Sequence, residues 1–236
     1  MTVQGAGGFM GGTLRGRDAC GGGLRPVDGS VRIERLLAGH PSCGFSASVN
    51  FRFNIEKATD ASLQFIAREG GRINVMKLIK LIYLLDRLSI QRRSVPVVGG
   101  IYFSMRNGPV TSELLDLVNA GELAGEEGSR WETLISDRKD HEIAIRGSAV
   151  PERESLSDVE LELIGEIFAE HGGKNQWQLR DWCHERCAEW TPLQNGRERI
   201  NVEELALNTG RSEKDAHRIA HEARETNLLA RAFAQA

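Results

Sequence analysis

Ile73 to Gln91 reads INVMKLIKLIYLLDRLSIQ, and the placing of its apolar residues decides the architecture of the chain. Ile73, Met76, Leu78, Ile79, Leu81, Ile82, Leu84, Leu85 and Leu88 cover most of a helical circumference. Only a narrow stripe through Lys77, Lys80, Arg87 and Gln91 is polar. A surface helix shows one apolar face, so a helix apolar nearly all round is buried on several sides. The run is too short, and too interrupted by Lys77, Lys80, Asp86 and Arg87, to span a membrane. It is expected to be the central post of a helical domain.

Working outward, Asn54 to Arg68 carries a helical stripe of Ile55, Ala58, Leu63, Ile66 and Ala67, stopped by Gly70-Gly71. After the post, Ser94-Val95-Pro96 breaks the helix. Val97 to Phe103 favours an extended run, with Gly99-Gly100 inside it as a bulge or a close approach. Asn107-Gly108-Pro109 makes a tight turn, and Pro109 is expected to open a helix with Thr111 or Ser112 near its cap. Trp131–Ile135 and His141–Ile145 flank a polar turn and read as a short β-hairpin. Ser157-Asp158-Val159-Glu160 is a capping box opening a helix that stops at His171-Gly172-Gly173. Asn175 caps a helix carrying Trp177, Leu179, Trp182, Cys183 and Cys187, ended by Trp190-Thr191-Pro192. Asn201–Leu207 is a short helix, and Ser212 caps a last one reaching about Leu229. The fold class that follows is mainly α: a helical bundle around a buried central helix, with a minor β-hairpin.

Composition narrows the function. Hydrophobic residues at 40% and charged residues at 27% fit a globular protein in water. With 30 basic and 33 acidic side chains the formal charge is −3, which gives no global attraction to nucleic acid or anionic membrane. Four cysteines imply no dense disulfide framework, so a cytoplasmic location is expected. The N-terminus lacks the continuous apolar core of a signal peptide.

Residues 1–48 differ in kind from 49–236. They hold twelve of the 26 glycines and no helical or strand period, so ordering their backbone would cost much and bury little. A disordered tail is expected, with a helical turn at most near Val31–Leu37. Two readings stay open: a tail that binds through Arg15, Arg17, Arg25, Arg32 and Arg35, or a segment that is not native coding sequence, with the start at Val49.

Three pieces carry a family resemblance. Lys77-Leu78-Ile79-Lys80-Leu81-Ile82-Tyr83 resembles the K-L-x-K-L-L-Y signature of the Panacea domain, the SocA-like antitoxin domain. Gly108-Pro109-Val110 is similar to that family's G-P-V turn after an extended run, and His184 with Trp190 to its late H-x5-W helix end. The resemblance spans roughly residues 53 to 230. The family often has an aromatic residue shortly before the turn, where Phe103 and Met105 stand here, and another just after the tyrosine, where Leu84 and Leu85 stand. What the resemblance implies is an antitoxin that neutralises a protein toxin encoded beside it by direct binding, some members also acting as adaptors that deliver the toxin to a protease. On that reading Lys80, Tyr83, Met105, Arg106 and Asn107 are candidate partner-binding residues, exposed around the turn and the polar stripe. The plainer alternative makes Tyr83 and Met105 core and Lys80 a solvated residue.

Other constellations point elsewhere more weakly. Cys183 and Cys187 are spaced C-x3-C without a second pair, unlike a structural zinc site, and read as buried thiols beside Trp182. His217 and His221 lack the glutamate between them that a zinc protease helix needs. Neither Ser104, Ser112 nor the cysteines have a recognisable base, so no enzyme, no metal and no cofactor is expected. The alternative function is a DNA-binding regulator using 201–230 as a helix-turn-helix, with Gly210 in the turn. Residues 201–236 carry five basic side chains against six acidic, so nucleic acid is not the expected partner.

Overall fold

A computed structural model describes residues 49–120, 129–147 and 153–234; the expectations for residues 1–48 fall outside these described residues. Helix α1, Ile55–Arg68, starts where Asn54 leaves helical geometry and its side chain accepts from Lys57 N at 3.0 Å. Gly70 and Gly71, both in the left-handed region, end it. Strand β1, Arg72–Asn74, leads directly into the post, helix α2, Val75–Arg93. The post therefore begins two residues later than Ile73. The reason is Asn74: its side chain caps Met76 N at 3.0 Å, and a cap residue is extended, so Ile73 before it joins a strand. Ser94, left-handed at φ 66°, closes α2 ahead of Pro96.

Burial of the post is nearly complete. Leu78, Leu81, Ile82, Tyr83, Leu85 and Ile90 are fully buried, and α1 and β1 pack on it, as do four later helices, Ser112–Ala120, Asp158–His171, Gln176–Arg186 and Val202–Asn208, and the strand Gly108–Thr111. Each such aliphatic side chain withdrawn from water contributes roughly 1.5–3 kcal/mol, which makes α2 the main hydrophobic asset of the fold.

After the post, Gly99 takes a positive φ, and a Cβ there would lie 2.5 Å from the Arg52 carbonyl oxygen. This is the close approach expected of the glycine pair. Strands β2, Tyr102–Met105, and β3, Gly108–Thr111, form an antiparallel hairpin with Met105 opposite Gly108 and Arg106-Asn107 at its tip. So Pro109 sits in a strand and does not open a helix. It pairs opposite Ser104 on an edge strand, where a missing N–H is tolerated, and helix α3, Ser112–Ala120, starts only after it.

The hairpin expected over 131–145 is not formed as such. Trp131–Leu134 lies in helix α4, Ser129–Leu134, because Trp131 and Ile135, one turn apart, are both buried. Strand β4, Glu142–Ala144, pairs instead with β1, Ile143 opposite Ile73. Only isolated bridges, Ile135 to Ile145 and Lys139 to Glu142, remain of the expected pairing. The minor hairpin of the fold is β2–β3.

Helices α5, Asp158–His171, and α6, Gln176–Arg186, open with the capping boxes Ser157/Glu160 and Asn175/Gln178. Strand β5, Arg197–Ile200, was not legible in sequence; it pairs antiparallel with β2 and completes a three-stranded sheet in the order β3-β2-β5. Its three exposed charged residues hide the strand period, while Arg197 and Arg199 flank the Phe103 ring at 4.6 and 5.8 Å. Helices α7, Val202–Asn208, and α8, Glu213–Ala234, follow, with Ser212 capping Asp215 N at 3.1 Å and α8 running past Leu229.

Candidate functional site

The polar stripe of α2 is buried at Lys77 and Lys80, half-buried at Arg87 and exposed only at Gln91. Lys77 and Lys80 are 4% and 1% exposed, and Asp86 is fully buried. Each finds its partner on a distant segment, as buried polar groups must. Lys77 Nζ is bound by the Glu69 carboxylate and donates to the Gly172 carbonyl oxygen. Arg87 Nε donates to Glu189 Oε1 at 2.8 Å, and Gln91 Nε2 donates to the Thr209 carbonyl oxygen at 3.0 Å. Asp86 accepts four hydrogen bonds, from Val97 N, Val98 N, Gly99 N and Tyr102 Oη, at 2.7–3.0 Å. Burial nevertheless pushes its carboxyl up to about 6, against the pull of those donors.

The expectation that Lys80 and Tyr83 stand exposed as anchors is therefore corrected. Tyr83 is 0% exposed; its hydroxyl donates to Glu189 Oε1 at 2.7 Å and its ring meets Tyr102 edge-on. It is core, but polar core, bonded to the carboxylate that also holds Arg87. Lys80 Nζ donates to the Pro109 carbonyl oxygen at 2.6 Å. Burial lowers its ammonium to about 8, with the nearby Cys183 and Cys187 thiols acting the other way. The plainer alternative of a solvated Lys80 is equally excluded.

What these contacts hold is the hairpin tip. Trp190 Nε1 donates to the Met105 carbonyl oxygen at 2.9 Å, and Thr191 N donates to Ser104 Oγ at 3.0 Å. His184 stacks on Trp190 at 3.8 Å between ring centroids, 4° from parallel. Gly108, at φ +94°, runs so close that a Cβ would stand 3.1 Å from Lys80 Nζ and 3.4 Å from the His184 ring. The three sequence pieces thus converge on one turn: Lys80 grips the strand after it, Trp190 the strand before it, and His184 backs both. The tip they fix presents Met105 half-buried and Arg106 and Asn107 exposed.

Beside the tip lies a groove of about 420 Å³. Four of the five sequence candidates, Lys80, Met105, Arg106 and Asn107, line it; Tyr83 does not. Sequence reasoning missed its other wall, where Trp177 stands 49% exposed at the start of α6 and Arg138 and His141 lie beside β4. The one available signal was an aromatic residue in the first turn after the helix cap Asn175.

Cys183 and Cys187 are free and buried, and among the described residues no cluster of three His, Cys, Asp or Glu could hold a metal. His217 faces Glu203 and His221 faces Glu225, each on its own. Helices α7 and α8 do pack as a pair across the left-handed Gly210, yet Arg218 of α8 is neutralised by Asp215 and Glu222 on the same helix. No helix among the described residues is long and apolar enough to cross a membrane.

Compared with known proteins, residues 78–191 match the family model described as antitoxin SocA-like, Panacea domain. This is narrower than the 53–230 span of the resemblance, but it contains Lys80, Tyr83, the Gly108 turn, His184 and Trp190. No curated protein and no solved structure matches the chain.

Proposed function

Residues 78–191 belong to the SocA-like Panacea antitoxin family, and from that premise we propose that the chain neutralises a cognate protein toxin by binding it directly. The observation that carries the reading is the hairpin tip. Hydrogen bonds from the buried Lys80 and the half-buried Trp190 fix one exposed turn from both of its strands. Such pre-organisation lowers the entropy lost when a surface is covered, which suits binding to a macromolecule. The toxin would cover Met105, Arg106 and Asn107, while Lys80 and Tyr83 act from beneath as positioning residues. No bond need be made or broken, so the chain works in this reading without catalysis, metal or cofactor.

The test is co-expression with the protein encoded by the neighbouring gene. Restored growth and a binary complex that survives gel filtration are the expected results. Growth arrest that persists despite full expression of this chain overturns the proposal. Delivery of the toxin to a protease is the finer variant; it requires toxin levels to fall when the chain is present and to recover in protease-deficient cells.

A further inference from the structure

The groove beside the hairpin tip has an uneven chemistry. Its floor is apolar, built from Val75, Met76, Ile79, Val110 and Leu115, with the Trp177 ring at one wall. Lys80 at its base is spent on the Pro109 carbonyl oxygen; the other polar side chains around it are Arg106, Arg138, His141, Asn74, Asn107 and Gln176, and no carboxylate lines it among the described residues. That bias is local, because the whole chain carries a formal charge of −3.

The two arginines among them carry no ion pair with a described residue. Arg106 is exposed and has no ion pair or hydrogen bond among the described residues. Arg138 donates to Asn119 Oδ1 at 2.7 Å and lies 2.8 Å from His141 Nδ1, neither of them a carboxylate. Several other described arginines do meet carboxylates: Arg92 with Glu166, Arg93 with Glu160, Arg180 with Asp181. A guanidinium held in place by partners other than carboxylates keeps its charge available to a carboxylate from outside.

We propose that this groove seats an acidic segment of the partner protein, its aliphatic or aromatic side chains over Met76, Met105 and Trp177 and its carboxylates against Arg106 and Arg138. The inference rests on the antitoxin reading and names the chemistry that the partner must bring. An exposed tryptophan, a methionine-lined floor and arginines at the rim are the residue types that dominate binding energy in protein interfaces. A nucleic acid strand would use the same cations, but the floor offers it aliphatic surface where stacking platforms are wanted.

Two arms test it, both with the full chain. In the first, short fluorescein-labelled peptides alternating leucine with glutamate, glutamine or lysine are titrated by fluorescence anisotropy. The glutamate peptide is expected to bind and the other two to bind at least about tenfold more weakly, with Arg106→Glu/Arg138→Glu reversing the order. No binding of the glutamate peptide, equal binding of the glutamine peptide, or equal displacement by oligothymidylate overturns the proposal. In the second arm the double variant, checked for an unchanged melting temperature, replaces the wild type in the growth-rescue assay. Rescue by wild type and variant alike removes the acidic docking while leaving the antitoxin function standing. Failure of the wild type itself removes the antitoxin function, and the peptide arm then judges the groove alone.

Discussion

Lys80 and Pro109, 29 residues apart in sequence, meet through a 2.6 Å hydrogen bond from a fully buried ammonium to a backbone carbonyl. Pro109 cannot donate to the sheet, and its carbonyl is drawn inward to the post. A charge held so deep is costly, and the gain is a hairpin whose tip is fixed relative to the central helix.

Lys80→Met removes both the cost and the grip. The unpaired Pro109 carbonyl costs about 1–3 kcal/mol, and relief of the buried charge offsets a comparable amount, so stability at neutral pH should change by less than about 2 kcal/mol. Rescue of growth should nonetheless fall, since the tip is no longer pinned. The pH dependence gives an independent check. Lys80 holds its proton less tightly when folded, at about 8 against 10.5, so the unfolded chain binds more protons between these values. Wild-type stability should therefore rise relative to Lys80→Met as pH goes from 8 toward 10.5, by on the order of 3 kcal/mol. Urea unfolding of both proteins across that range measures it; parallel curves would contradict the buried-ammonium account.

Asp86 works with the opposite sign. Its folded value, about 6, lies above the ordinary 3.8, so the folded chain binds more protons in between. The stability it contributes is complete below about pH 4 and is lost as pH rises through 6, on the order of 3 kcal/mol in all. Asp86→Asn should flatten that limb of the pH–stability curve. At pH 7 it should also destabilise, since its amide nitrogen would face donors from Val97, Val98, Gly99 or Tyr102.

Gly108→Ala and Asn107→Ala, neighbours at the tip, should separate shape from contact. Gly108 needs a positive φ and lies against Lys80 and His184, so alanine there should cost roughly 1–3 kcal/mol, visible as a lowered melting temperature. Asn107 is exposed, and Asn107→Ala should leave stability within about 0.5 kcal/mol while weakening capture of the proposed toxin. Equal melting temperatures for the two variants would count against the packing described for the turn.

Trp190→Phe keeps an aromatic ring against His184 but deletes the donor to Met105 together with part of the indole's bulk. A loss of about 1 kcal/mol in chemical denaturation is expected, with a larger loss in rescue than the stability change alone explains. An unchanged complex with the toxin would show that the strand before the turn needs no such tether.

The sequence by itself determined the features written in neighbouring residues. The apolar circumference of α2, the caps at Asn54, Ser157, Asn175 and Ser212, and the breaks at Gly70 and Ser94 all depend on contacts within about one helical turn. Whatever depends on distant partners was decided by the tertiary structure. β4 could not be seen to choose β1 over its own neighbour, nor could charged β5 be seen as a strand, because sheet pairing is settled by what covers each face. Nor could composition foretell that Lys80, Tyr83 and Asp86 lie inside. A polar side chain is stable in the core only when a partner waits there, and those partners, Pro109, Glu189 and the Val97–Gly99 backbone, are brought in by folding.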